Sequence, residues 1–532
     1  MVRYIIFLVY SLSVIDAFAQ KTITVPAVAD EYWWGAAVNE GEKMPFKPGY
    51  SLNLYAENKG NQAAPVLVSS KGRYIWSEQP FRFEITATGL VINATDSVYV
   101  AKAGNTLREA FVSCSKKFFP AAGQIPDTLL FSSPQYNTWI ELLYNQNQAD
   151  ILKYAHAVID NGFPPGVIMI DDYWGSHFGS YEFRKDRFPN AKAMTDELHR
   201  LGFKVMLWVC PFISPDTEIF REALQKRILL FDNNGDKNLK WEAAKIPAII
   251  PWWDGYSAQL DFTNPAAVQW LKERLDKLVI NNGVDGFKFD AGDMEYYPAN
   301  IVSFEKATPN RFCELWGQFG LLYPLNEYRA MWKRGGQPLV QRLRDKYHTW
   351  EDLKKLIPHL ATAGLMGYQF TCPDMIGGGD FSSFLNDNTL DQDLIVRSAQ
   401  VHALMPMMQF SVAPWRVLDV VHLDAVRKAV AIRTRFTSVI MQQAVIASKT
   451  GEPFVTNLEY VFPGKGYEKV VNQFMLGTNY MVAPMLEKGN KRMVIFPKGK
   501  WKADDGTIIT GPVNKEIEVP LDRLPYFELL KK

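Results

Sequence analysis

Residues 284–293 read Val284-Asp285-Gly286-Phe287-Lys288-Phe289-Asp290-Ala291-Gly292-Asp293. Side chains alternate across a strand, so Gly286, Lys288 and Asp290 share one face while Phe287 and Phe289 share the other. The phenylalanines are expected to pack on a layer of helices, leaving Lys288 and Asp290 directed into a polar site. An ammonium beside a carboxylate stabilises its ionised form and lowers its pKa. A nucleophilic or charge-stabilising aspartate needs that; a buried Lys–Asp pair with no chemistry is the structural alternative.

Around this stretch, buried-strand runs alternate with amphipathic helical segments. VIMIDDYW (167–174) precedes a helix around 195–201, and VMLWVCPF (205–212) precedes one around 266–281. PLVQRLRD (338–345) and MGYQFTCPD (366–374) continue the series. Repeated strand–helix units over about 300 residues indicate an α/β chain built on a (β/α)8 TIM barrel. Before it, SLNLYAEN, VLVSS, RFEITA, LVINA and SVYVAK alternate in the manner of short half-buried strands, and after it FMLGTNYMVAPML, RMVIFPKG, KEIEVPL and FELL do the same. The expected layout is an N-terminal β-sandwich (20–130), a catalytic barrel (131–447) and a C-terminal β-sandwich (448–532).

Composition limits the function. In 532 residues, Lys+Arg 58 against Asp+Glu 57 gives a net charge of +1, so no global field favours nucleic acid or an anionic membrane. With 47% hydrophobic residues the chain can bury real cores, which excludes a disordered protein. Cys114, Cys210, Cys313 and Cys372 are too scattered for a zinc knuckle or a disulfide-stapled fold. Residues 1–19 read as a cleaved secretory signal: Arg3 is followed by the apolar run from Ile5 to Val14 and by Ala17-Phe18-Ala19. Beyond it no apolar run reaches the ~18 residues of a membrane span, so an exported protein, periplasmic or secreted, is expected.

In a TIM barrel, chemistry sits at the C-terminal ends of the strands. Four such ends carry acid here: Asp171-Asp172, Asp290 with Asp293, Asp345, and Asp374. Carboxylates in apolar strands are costly unless they serve a site or find partners, and four at equivalent places favour an acid-lined pocket. A second carboxyl of opposite proton affinity to Asp290 would complete a glycosidase. By itself Asp345 reads as a helix cap or salt-bridge residue, because Arg342, Arg344 and Lys346 oppose a raised pKa.

In order along the chain, the motifs resemble those of glycoside hydrolase family 31. Asp172-Tyr173, Arg187-Phe188-Pro189 and Leu198-His199 with Gly202 are followed by Leu260-Asp261-Phe262-Thr263-Asn264-Pro265 and the 283–290 strand. Then come Asp345 with Trp350 five residues on, Asp374-Met375-Ile376-Gly377-Gly378, and tail elements including Phe496-Pro497 and Trp501. The resemblance implies a retaining α-glycosidase with Asp290 as nucleophile and Asp345 as acid/base. It also implies that Asp172, Lys288, Arg342 and Asp374 hold sugar hydroxyls. Trp139, Trp208 and Trp252 are candidate walls, with ordinary packing as the alternative.

Departures from the common pattern point to the family's α-galactosidase branch. Where family glucosidases carry an R-x-H element, this chain has Gln409-Phe410-Ser411, and Arg342 stands only three residues before Asp345. The expected activity is exo-hydrolysis of terminal α-linked galactose, with α-xylosidase, α-glucosidase and α-N-acetylgalactosaminidase as alternatives. The family's Glu in the nucleophile segment is Asp293 here. No cofactor or metal is expected, since the seven histidines form no ligand cluster. A catalytically silent sugar-binding protein is a further reading.

Overall fold

The computed structural model describes residues 21–386 and 389–531. The signal read at 1–19 lies outside the described residues.

Eight parallel strands form the central sheet: β1 (Gln135–Asn137), β2 (Val167–Ile170), β3 (Lys204–Val209), β4 (Gly286–Phe289), β5 (Leu325–Tyr328), β6 (Gln341–Arg342), β7 (Thr371–Cys372) and β8 (Gln409–Phe410). They run in the spatial order β7-β6-β5-β4-β3-β2-β1-β8. A parallel bridge between Met375 and Gln409 brings the two edges together, giving the expected barrel, nearly closed. Strand pairing fixes which residues share a layer. Trp208, Lys288 and Glu327 are direct neighbours across β3, β4 and β5. One step from that register, Gly286 lies so close to β5 that a Cβ would sit 2.0 Å from the Leu325 carbonyl oxygen, which only glycine avoids.

Phe287 and Phe289 point outward as expected. They meet Tyr323 at 4.9 Å and Trp316 at 5.4 Å between ring centroids. Helices follow seven of the eight strands: α1 (Gln148–Asp160), α2 (Ala191–Arg200), α3 (Pro265–Asn282), α4 (Pro309–Phe319), α5 (Trp350–Leu365), α6 (Gln392–Ala403) and α7 (Val420–Thr450). Between β5 and β6 the chain instead sends Met331–Trp332 to pair with strand Gln62–Ser69 of the N-terminal domain. That domain contributes one four-stranded sheet and four strands of a second, whose fifth strand is Met331–Trp332. Its Asn61 and Gln62 amides donate to the carbonyls of Arg329 and Arg342, so it braces the backbone that carries those arginines. The C-terminal strands form one six-stranded antiparallel sheet around Met475, Met481, Phe496, Trp501 and Phe527. Among the described residues no helix is long and apolar enough to cross a membrane.

Candidate active site

A cavity of about 500 Å³ opens at the C-terminal end of the barrel, within the usual range for small-molecule sites. Asp171, Asp172, Trp208, Lys288, Asp290, Arg342 and Asp345 line it, joined by Trp139 and by Asn39 from the N-terminal domain. Three non-glycine residues at these strand ends have left-handed backbone: Tyr173 (φ 70°), Ala291 (φ 55°) and Asp374 (φ 80°). Such conformations cost of order 1–3 kcal/mol each and persist where the surroundings enforce them, commonly at functional sites.

Asp290 has both oxygens held. The Trp208 indole donates to Oδ2 at 2.8 Å and the Ala291 amide to Oδ1 at 3.0 Å. The Lys288 Nζ stands 3.6 Å from Oδ2 and is itself anchored by Asp171 at 2.8 Å. Burial works against the Asp290 carboxylate, but the charges of Lys288, Arg329 and Arg342 outweigh it and hold its pKa below the ordinary value. The alternation read from 284–293 thus places Lys288 and Asp290 together inside the barrel mouth.

Across the cavity Arg342 organises a carboxylate cluster. Its Nη1 donates to Asp345 Oδ1 at 2.5 Å and to Asp374 Oδ1 at 2.7 Å, while its Nε lies 3.5 Å from Glu327 Oε1. The two aspartates differ sharply in environment. The Asp345 side chain is 42% exposed, and although desolvation opposes ionisation, Arg342 and Lys288 hold its pKa well below the carboxylate range. Asp374 is fully buried; desolvation raises its pKa to about 7 against the pull of Arg342, and the charge of Asp345 adds to the rise. The two oxygens are close enough that a Cβ on Gly379 would lie 2.6 Å from one and 2.8 Å from the other. Of the two, Asp374 is the one that holds a proton up to near neutral pH, while the charges around Asp345 favour its ionised form in the ligand-free protein.

Two sequence assignments need correction. Asp374 does not face the cavity: it sits behind Arg342, accepting hydrogen bonds from the Lys346 and Gly379 amides, and acts on the site only through its neighbours. Trp252 is not a wall. On the hairpin Ile249–Trp252 and Gly255–Gln259 the side chains alternate, which turns Trp252 inward onto Phe212 and Phe178. Trp253, in the turn, lines the cavity instead and is 46% exposed. Trp208 and Trp139 do line it, the latter edge-on to Phe381. Asp172 accepts from the Tyr173 amide, and desolvation and the nearby Asp254 and Asp171 push its pKa well above the ordinary value.

Sequence reasoning overlooked Asp171 as the anchor of Lys288, although Asp171 was visible at the same strand end. Glu327 lies on β5 and Arg329 just past its end, in a stretch of sequence that carries no clear period. Asp293, which stands where the family has Glu, is held by the N-terminal domain and by Arg329. It is sealed under the site, where Arg329 pairs with it at 3.1 Å and Asn58 of the N-terminal domain donates to it at 3.3 Å. Among the described residues no group of three or more potential ligands could hold a metal ion.

Residues 134–443 match the family described as the Glycosyl hydrolases family 31 TIM-barrel domain, and residues 451–528 the Glycosyl hydrolase family 31 C-terminal domain. The mouse (Mus musculus) myogenesis-regulating glycosidase is 30% identical over 77% of this chain and 58% of its own length. An α-xylosidase of Lactiplantibacillus pentosus is 24% identical over 71% of this chain and 50% of its own length. The chain thus spans about half to three-fifths of these relatives. A Flavobacterium johnsoniae dextranase solved with glucose superposes with a TM-score of 0.83 at 19% identity, over 96% of this chain and 66% of that one, which speaks to the fold alone. By its barrel, its C-terminal sheet and the family match across most of both, the chain belongs to glycoside hydrolase family 31.

Proposed function

We propose that the protein is a retaining exo-α-glycosidase that removes terminal α-linked galactose, with Asp290 as nucleophile and Asp345 as acid/base. The observation that carries this reading is a single cavity with the doubly hydrogen-bonded Asp290 carboxylate on one side and the half-exposed Asp345 carboxyl on the other, backed through Arg342 by the buried Asp374.

Asp345, the exposed member of the pair, takes over the proton that Asp374 holds in the ligand-free protein and delivers it to the glycosidic oxygen while an Asp290 oxygen attacks the anomeric carbon. The carbon–oxygen bond to the aglycone breaks and a covalent glycosyl-enzyme forms. Asp345, now ionised, takes a proton from water, whose oxygen displaces Asp290 and restores the starting configuration. Lys288 and Arg342 stabilise the negative charge of the two carboxylates between steps. Asp171, Asp172, Lys288 and Arg342 are placed to bond the sugar hydroxyls, with Trp208 and Trp139 as walls.

The galactose assignment rests on β8. Gln409 is drawn into the barrel interior by Glu327 and Gln135, and Ser411 accepts a hydrogen bond from the Ile140 amide. Neither residue lines the cavity, and among the described residues no histidine does, which supports a sugar whose recognition does not use the family glucosidases' histidine. We also propose export, from the segment 1–19. The test is kinetics on aryl α-galactoside, α-glucoside, α-xyloside and α-N-acetylgalactosaminide. The α-galactoside is expected to have the highest kcat/KM, by about tenfold or more, as one discriminating hydroxyl contact affords. A higher value for another sugar overturns the galactose assignment, and no turnover of any overturns the enzyme reading.

A further inference from the structure

The cavity wall beside Asp345 holds more positive charge than the chemistry uses. Lys288 is paired with Asp171, and Arg342 with Asp345 and Asp374. Arg344, two residues further along the chain from Arg342, also lines the cavity and is exposed. Among the described residues no carboxylate lies within ion-pair distance of it, and its guanidinium makes no hydrogen bond.

A second guanidinium comes to the same place. A Cβ on Gly60 would lie 3.5 Å from Arg344 Nη1 and 3.9 Å from Arg329 Nη2, so the two side chains converge on one point of the N-terminal domain. Arg329 is ion-paired on its far side to Asp293 and lies over the Trp253 ring, 4.8 Å from its centroid. Lys346 lies buried in the same wall and spends its ammonium on the Arg344 carbonyl. The nearby acids are engaged elsewhere: Asp352 by Lys355 at 2.6 Å and Asp380 by Ser382. Bringing like charges together without an anion between them is unfavourable, and a planar guanidinium fork matches an oxyanion in two parallel hydrogen bonds. The half-exposed Trp253 ring adds a flat surface for a sugar or aromatic ring.

We infer that the leaving-group side of the cavity selects an aglycone carrying an oxyanion, a carboxylate, sulfate or phosphate, bound by Arg344 with Arg329 beside it and with its ring against Trp253. The inference rests on the glycosidase reading, because it is Asp345 as acid that makes this the leaving-group side.

The test compares 4-nitrophenyl and 3-carboxy-4-nitrophenyl α-glycosides of the sugar that the substrate panel selects, in wild type, Arg344→Ala and Arg344→Glu. The difference in leaving-group chemistry is common to all three proteins and cancels when their anionic-to-neutral ratios of kcat/KM are compared. The ratio is expected to fall about tenfold or more in Arg344→Ala, as for loss of a charge-assisted hydrogen bond, and further in Arg344→Glu. In wild type it is expected to decline with added salt. A ratio that is the same in wild type and both variants overturns the inference while leaving the glycosidase reading intact. If no glycoside is hydrolysed, that reading fails separately; calorimetric affinities of the same two compounds for wild type and Arg344→Ala then decide, equal discrimination in both overturning the inference.

Discussion

Asp290→Ala is expected to lower kcat/KM on an aryl α-galactoside by about 10⁴-fold or more while leaving the barrel folded. Loss of a covalent nucleophile removes a reaction path, and losses of this order are typical of such residues. The fold should survive because the partners of Asp290 have other anchors. Lys288 keeps its 2.8 Å contact with Asp171, and the aromatic packing of Phe287 and Phe289 lies on the opposite face of the strand. Circular dichroism and the melting temperature should therefore change little. A variant that retains activity within tenfold of wild type contradicts the assignment; one that unfolds is replaced by Asp290→Asn, which preserves volume and must be equally inactive.

Arg342→Met has the second-largest expected effect, and it strikes both stability and pH dependence. The arginine is 2% exposed and is shared by Asp345, Asp374 and Glu327. Removing the cation leaves buried carboxylates uncompensated, at a cost of about 3–5 kcal/mol. That cost is greatest where the acids would be ionised, so the loss in melting temperature should be larger at pH 8 than at pH 5. Activity should fall by about 10²–10³-fold, as for other preorganised charges at a reacting centre.

The sign of the pH shift follows from the same contacts. In wild type, kcat/KM should fall as pH rises through about 7, where Asp374, the proton source behind Asp345, becomes ionised. Arg342 favours the ionised form of both acids, so its loss raises both pKa values, and the basic limb of the variant should move to higher pH. A limb that stays in place, or moves down, contradicts the role given to the pair.

How much of this was legible in the sequence depends on how local the signal is. The strand at Gly286–Phe289 was readable because alternation is a property of adjacent residues, and it correctly placed Lys288 with Asp290. Strands β1 and β8, three and two residues long, carry no period at all; they exist because the barrel closes through them. The same limit applies to the site. That Asp345 pairs with Arg342 follows from a three-residue spacing, but that Asp374 is the buried acid behind them depends on β6 and β7 lying side by side. Trp252 and Trp253 are indistinguishable in the sequence, and only the register of their hairpin decides which ring meets the cavity. The lone guanidinium of Arg344 emerges only when the partners of every neighbouring acid are known.

The most direct test of the double displacement is to trap it. A 5-fluoro-α-galactosyl fluoride, which slows release of the glycosyl-enzyme more than its formation, should inactivate the protein and add one fluorohexosyl unit. Peptide mass spectrometry should find that unit on Asp290. Label on another residue, or turnover whose first product is the β-anomer by proton NMR, would contradict the account.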